Sequence, residues 1–178
     1  MKKTAVLPLV VIALAAAILF GAALGLNSIA TKNAQAEHLR IMQTLVPGST
    51  SFVVEPYAGE DANIRSVHKG ETGFVVQTVT NGYVDEIEML IGVSNEGYVT
   101  GLVVREMHET FGLGAQALTD WEFLAQFLKT EGDAEIGGGM DALSGATVTS
   151  KAIARSVNSA VAYVTGADVD SGATSWEG

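Results

Sequence analysis

Apolar residues dominate positions 4–30, and the run TAVLPLVVIALAAAILFGAALGLNSIA contains no charge. As a helix it would extend roughly 40 Å, more than the ~30 Å of bilayer hydrocarbon. The pattern predicts a transmembrane anchor within residues 1–35. From residue 36 the periodicity changes. AEHLRIMQTLVP (36–47) spaces Leu39, Met42 and Val46 as a helix would, and Gly48 offers its stop. The runs SFVVEPY (51–57), GFVVQTVT (73–80), YVDEIEMLIGVS (83–94) and YVTGLVVREM (98–107) then have the character of strands. Between them Asn81-Gly82 and Asn95-Glu96-Gly97 read as hairpin turns, which makes the middle of the chain an antiparallel meander.

A glycine-bearing loop, HETFGLGAQ (108–116), follows the last strand. Spacing around Asp120–Lys129 predicts a short helix burying Trp121, Leu124 and Leu128. After the loose stretch EGDAEIGGGM (131–140), Ile153, Val157, Val161 and Val164 recur at helical intervals, predicting an amphipathic helix over 149–164. Strands first and helices afterwards indicate an α+β domain. Its expected bounds are 36–166, with 167–178 as a flexible tail.

Charge sharpens the division. From Glu37 onward there are 7 basic and 20 acidic residues, a formal −13. Such a domain repels nucleic acid and anionic surfaces. Lys2 and Lys3 favour a cytoplasmic N-terminus, Lys32 and Arg40 on the other flank oppose it, and the balance puts the acidic domain outside the cytoplasm. A cleaved signal peptide is the competing reading, since NAQAE (33–37) offers a small-x-small site ending at Ala36. The apolar run far exceeds the roughly 7–15 residues of a signal core, which favours retention. There is no cysteine, which excludes disulfides, thiolate metal sites, iron–sulfur clusters and thiol nucleophiles. His38, His68 and His108 have no metal-ligand spacing.

One tetrapeptide occurs twice. SGAT stands in DALSGATVTSKAIARSV (141–157) and again in DVDSGATSWEG (168–178), each with an aspartate three positions before the serine. A helix start exposes unpaired N–H groups and a positive dipole end, which together favour a phosphate. The first copy leads into the final helix: Thr147 stands at its entrance, with Lys151 and Arg155 at i+4 and i+8. The second has no predicted helix and no cation after it. Read from spacing alone, the first copy is either a phosphate site or a plain cap formed by Ser144 or Thr147.

DALSGATVTSKAI resembles the flavinylation motif of the covalent FMN-binding domain family, Asp-x-x-(Ser/Thr)-Gly-Ala-Thr followed by Thr-Ser and a helix. HETFGLG resembles that family's upstream loop, with Phe111 in place of the usual proline, and MLIGVSNEGYVTGLVVREMHET resembles the segment leading into it. Residues 1 to about 165, in order, resemble the family of G subunits of Rnf electron-transport complexes. The resemblance implies one FMN per chain, joined through its phosphate to the Thr147 hydroxyl by a flavin transferase. Asp141, Ser144, Gly145 and Ala146 would form the turn the transferase recognises, and Ser150 and Lys151 would lie near the ester phosphate. Glu109, Thr110, Leu113 and Gly114 would line the isoalloxazine ring. Thr174 in the tail copy is a rival acceptor, and His108 reads as a structural hydrogen-bonder.

With no general acid, nucleophile or metal cluster in view, the resemblance implies an electron carrier with no independent catalytic activity. It would be a redox subunit of an ion-translocating ferredoxin:NAD⁺ oxidoreductase, single-pass in the cell membrane. Its partners would be the complex's other integral and peripheral subunits, the transferase and membrane lipid. The alternatives are the C subunit of the sodium-pumping NADH:quinone oxidoreductase, typically longer, and a free-standing extracytoplasmic flavoprotein. A colourless binding module whose SGAT is only a cap is a further one.

Overall fold

The computed structural model describes Phe20 and residues 30–108 and 114–167. The predicted membrane run thus lies almost wholly outside the described residues. Among the described residues no helix is long and apolar enough to cross a membrane. The chain divides into two compact units, Met1–Arg40 and Ile41–Gly178. In the first, residues 30–40 are helical and, His38 apart, exposed. Among the described residues, 30–45 are helical and belong to helix α1.

The second unit is built on a five-stranded sheet with β1 (Val53–Glu55), β2 (Ile64–Lys69), β3 (Gly73–Asn81), β4 (Glu86–Ser94) and β5 (Val99–Met107). Neighbours in sequence are neighbours in the sheet, and every pairing is antiparallel. This is the meander the turn residues predict. Gly97 supplies the positive φ (+92°) of the β4–β5 turn. The β3–β4 turn is longer than Asn81-Gly82 suggests, since Gly82 N donates to Asp85 O (2.9 Å) and β4 starts at Glu86.

After β5 come a 3₁₀ turn (Gly114–Leu118), helix α2 (Trp121–Ala125) and helix α3 (Thr147–Thr165). Helix α3 crosses one face of the sheet and buries Ile153, Val157 and Val161, with Val164 partly buried, against Val67, Val76, Met89, Ile91 and Val93. Its direction is fixed at both ends. The Thr80 hydroxyl on β3 donates to Ala152 O (3.2 Å) and shares a hydrogen bond with Ser156 Oγ (2.9 Å). At the other end, a Cβ at Gly97 would meet Thr165 Cγ2 at 2.5 Å. The helix therefore runs antiparallel to β3, and its first turn emerges where β3 passes into β4 and β5 ends.

On the opposite face Met42, Leu45 and Val46 pack against Val75 and Leu90. Gly92 and Gly101, paired across β4 and β5, leave room for the backbone there; a Cβ at Gly92 would run into Leu45 O. Leu39, which shares the helical spacing of Met42 and Val46, is 37% exposed.

The buried face of α2 is also corrected. Helix α2 ends at Ala125, short of the expected Lys129, and the segment does not bury Trp121 or Leu128, which are 78% and 41% exposed; Phe123 and Phe127 are buried instead. The reason is local. Asp120 Oδ1 caps the helix by accepting from Phe123 N (2.9 Å), and that start turns the 123/127 pair inward, ring against ring at 5.3 Å and 81°. Leu124 alone of the expected trio packs against the core, partly buried.

Candidate functional site

The first SGAT forms a tight turn. Ala146 N donates to Leu143 O (2.9 Å), and Gly145 takes φ +72°, a left-handed conformation that favours glycine. Ser150, fully buried, holds the turn from inside the helix: its Oγ accepts from Leu143 N (3.0 Å) and donates to Ala146 O (2.9 Å). The loop before the turn is fastened from the α2 segment. Gln126 accepts from Asp141 N (2.7 Å) through Oε1 and donates to Asp141 O (3.4 Å) through Nε2.

Helix α3 begins immediately after this turn. Its N-cap is Ala146, and no side chain caps it, so the expected alternative of a Ser144 or Thr147 cap is not what forms. Thr147 is the first helical residue and exposed, with Lys151 exposed one turn on. Arg155 is half-buried, with an Nε that finds no acceptor among the described residues. Exposed hydroxyl, uncapped helix start and successive cations make a donor set suited to a phosphate. An FMN phosphate fits these residues.

Of the remaining candidates, Asp141 and Ser144 line a shallow cleft with Asp120, Phe123, Gln126 and Leu143 beside the turn. Gly114 is buried at the start of the 3₁₀ turn, which packs against α3. Glu109, Thr110 and Leu113 lie outside the described residues, as do Phe111 and Thr174. His108 closes β5 and sits 3.7 Å from Asp85 Oδ2 and 3.9 Å from Glu106 Oε1, linking the strand end to the β3–β4 turn. Sequence reasoning missed Gln126. Nothing in its neighbours marks it, because its partner is a backbone 15 residues away.

Residues 82–162, from the β3–β4 turn to the C-terminal part of α3, match the family model of the FMN-binding domain. Over 176 residues the chain is 33% identical to a Methanosarcina acetivorans protein, the G subunit of an ion-translocating oxidoreductase complex, covering 89% of this chain and 92% of that one. The chain belongs to this G-subunit family. Shorter matches agree. The G subunit of a Na⁺-translocating ferredoxin:NAD⁺ oxidoreductase complex from Acetobacterium woodii is 36% identical over 98 residues, 50% of this chain and 47% of its own. A proton-translocating counterpart from Clostridium ljungdahlii is 36% identical over 99 residues, 52% and 53% of the two chains. In both, the chain spans about half the length of the relative it matches.

Proposed function

We propose that this chain is the electron-transferring flavoprotein subunit of a membrane-bound, ion-translocating ferredoxin:NAD⁺ oxidoreductase, carrying one FMN as a phosphoester of Thr147. The observation that carries this reading is the uncapped start of α3 at an exposed threonine, in a chain of the G-subunit family. Bound FMN supplies reversible one- and two-electron transfer. The chain's own residues have the tasks of holding and placing it. Thr147 provides the ester oxygen. The N–H groups of the first helical turn and Lys151 face the phosphate's remaining charge. Asp141, Ser144, Gly145 and Ala146 present the turn to a flavin transferase, and Ser150 keeps its shape from within. Glu109, Thr110, Leu113 and Gly114 border the ring.

A membrane anchor within residues 1–35 would hold the FMN domain (36–166) on the extracytoplasmic face, with residues 167–178 as a tail and the complex's other subunits alongside. Covalent attachment suits that location, because the cofactor cannot diffuse away. The relatives named for Na⁺ and for proton translocation are equally similar, at 36% each. The shared feature is the redox subunit, not the ion.

Co-expression with a flavin transferase tests the reading. The chain is expected to fluoresce on a denaturing gel, and its tryptic peptide covering 130–151 to carry one added FMN moiety, with the C-terminal peptide unmodified. Thr147→Ala should abolish both signals. Fluorescence that survives in that variant would overturn the assignment.

A further inference from the structure

We propose that the exposed apolar side chains of Leu118, Trp121 and Leu128 form one stripe, a docking surface for another subunit of the complex that presents an apolar hollow rimmed by lysine or arginine. The inference rests on the complex membership argued above. Residues 114–130 carry apolar side chains on two sides. Phe123 and Phe127 fill the core at 4% and 0% exposure, whereas Leu118, Trp121 and Leu128 stand 47%, 78% and 41% exposed. One buried face suffices to hold so short a helix. A second apolar face headed by a tryptophan is what an interface centre uses, since tryptophan dominates binding hot spots.

The stripe is rigid. At one end Asp120 caps α2. At the other, Lys129 N donates to Val99 O (2.9 Å) and Val99 N to Thr130 O (3.0 Å), tying the segment to β5. Its position is equally specific. Gln126, in the middle of the segment, clamps Asp141 in the loop that leads to Thr147. A subunit seated on the stripe would therefore lie beside the proposed flavin turn, where a short electron path requires it.

Charge selects the occupant. From residue 114 to 141 there are six acids (Asp120, Glu122, Glu131, Asp133, Glu135, Asp141) against the single cation Lys129. A segment of that sign repels a second copy of this acidic chain and an anionic lipid surface alike. It suits a protein partner with a basic border.

The test is isolation of the tagged full-length chain from native membranes in mild detergent. Wild type is expected to retain the other subunits. Trp121→Ser, alone and with Leu128→Ser, should reduce that retention roughly tenfold or more while the FMN adduct stays on its peptide. Val54→Ser, at an exposed apolar position on β1 (62%), should behave as wild type. A photo-crosslinking residue at 121 should join the chain to another subunit. Full retention by the double variant would overturn the proposal, as would crosslinks only to lipid or to a second copy. If wild type itself brings down no other subunit, complex membership fails first and the proposal with it; the adduct mass reads the flavin assignment separately.

Discussion

Glu71 is exposed, yet its carboxyl is lowered from an ordinary 4.5 to about 2. Its own amide contributes most, followed by the Thr50 hydroxyl at 2.9 Å, with the Thr50 and Ser51 amides adding to them. The ionised form therefore fastens residues 50–51 to the β2–β3 turn. A folded-state value below the unfolded one gives stability that is complete above about pH 4.5 and lost as pH falls toward 2. Urea midpoints at pH 5.5 and pH 2.5 should accordingly lie further apart in wild type than in Glu71→Gln. Equal separations would show the carboxylate to be a bystander. Nothing in the sequence marks Glu71, whereas Thr147 and Lys151 are readable from spacing. The difference is physical. A hydroxyl and a cation on one helical face follow from a repeat of about 3.6 residues, but the clasps of Glu71, Gln126 and Ser150 depend on where the chain returns after folding.

The same division holds for elements. Strands β3, β4 and β5 are legible because their apolar runs are long and their turns rich in glycine and asparagine. Strand β2 is not. A register shift between Ile64 and Ser66 spaces its two buried apolar residues, Ile64 and Val67, three apart, so IRSVHK lacks the alternation that identifies a half-buried strand. Helix α2 is legible as an element but with the wrong face inward, since two apolar stripes compete there and the Asp120 cap decides between them. Neighbouring substitutions separate the stripes. Phe127→Ala, emptying a fully buried ring site, should cost about 3–5 kcal/mol in urea unfolding. Leu128→Ala, at an exposed position, should stay within about 0.5 kcal/mol of wild type. Equal losses would mean that both faces of this segment serve the fold, leaving no spare surface for a partner.

At the scale of the whole molecule, the described buried apolar side chains run from Met42 to Ala162, all within the unit that begins at Ile41. The sequence divides nearby, with an uncharged apolar run over 4–30 and a net −13 from Glu37 onward. If the leading run acts only as an anchor, folding of the domain should not depend on it. A chain starting at residue 30, which keeps the described part of α1, is expected to appear in the aqueous fraction rather than with membranes. It should unfold in one cooperative step with the urea midpoint of the full-length chain in detergent, and a transferase should still load its flavin. The loading result carries the most weight. Among the described residues, the side chains that hold the SGAT turn and the loop before it are Ser150 and Gln126, both in the second unit, and the truncated chain keeps both. A truncated chain that folds with an unchanged midpoint but stays unlabelled would show that the transferase reads the membrane-proximal segment as well as the turn.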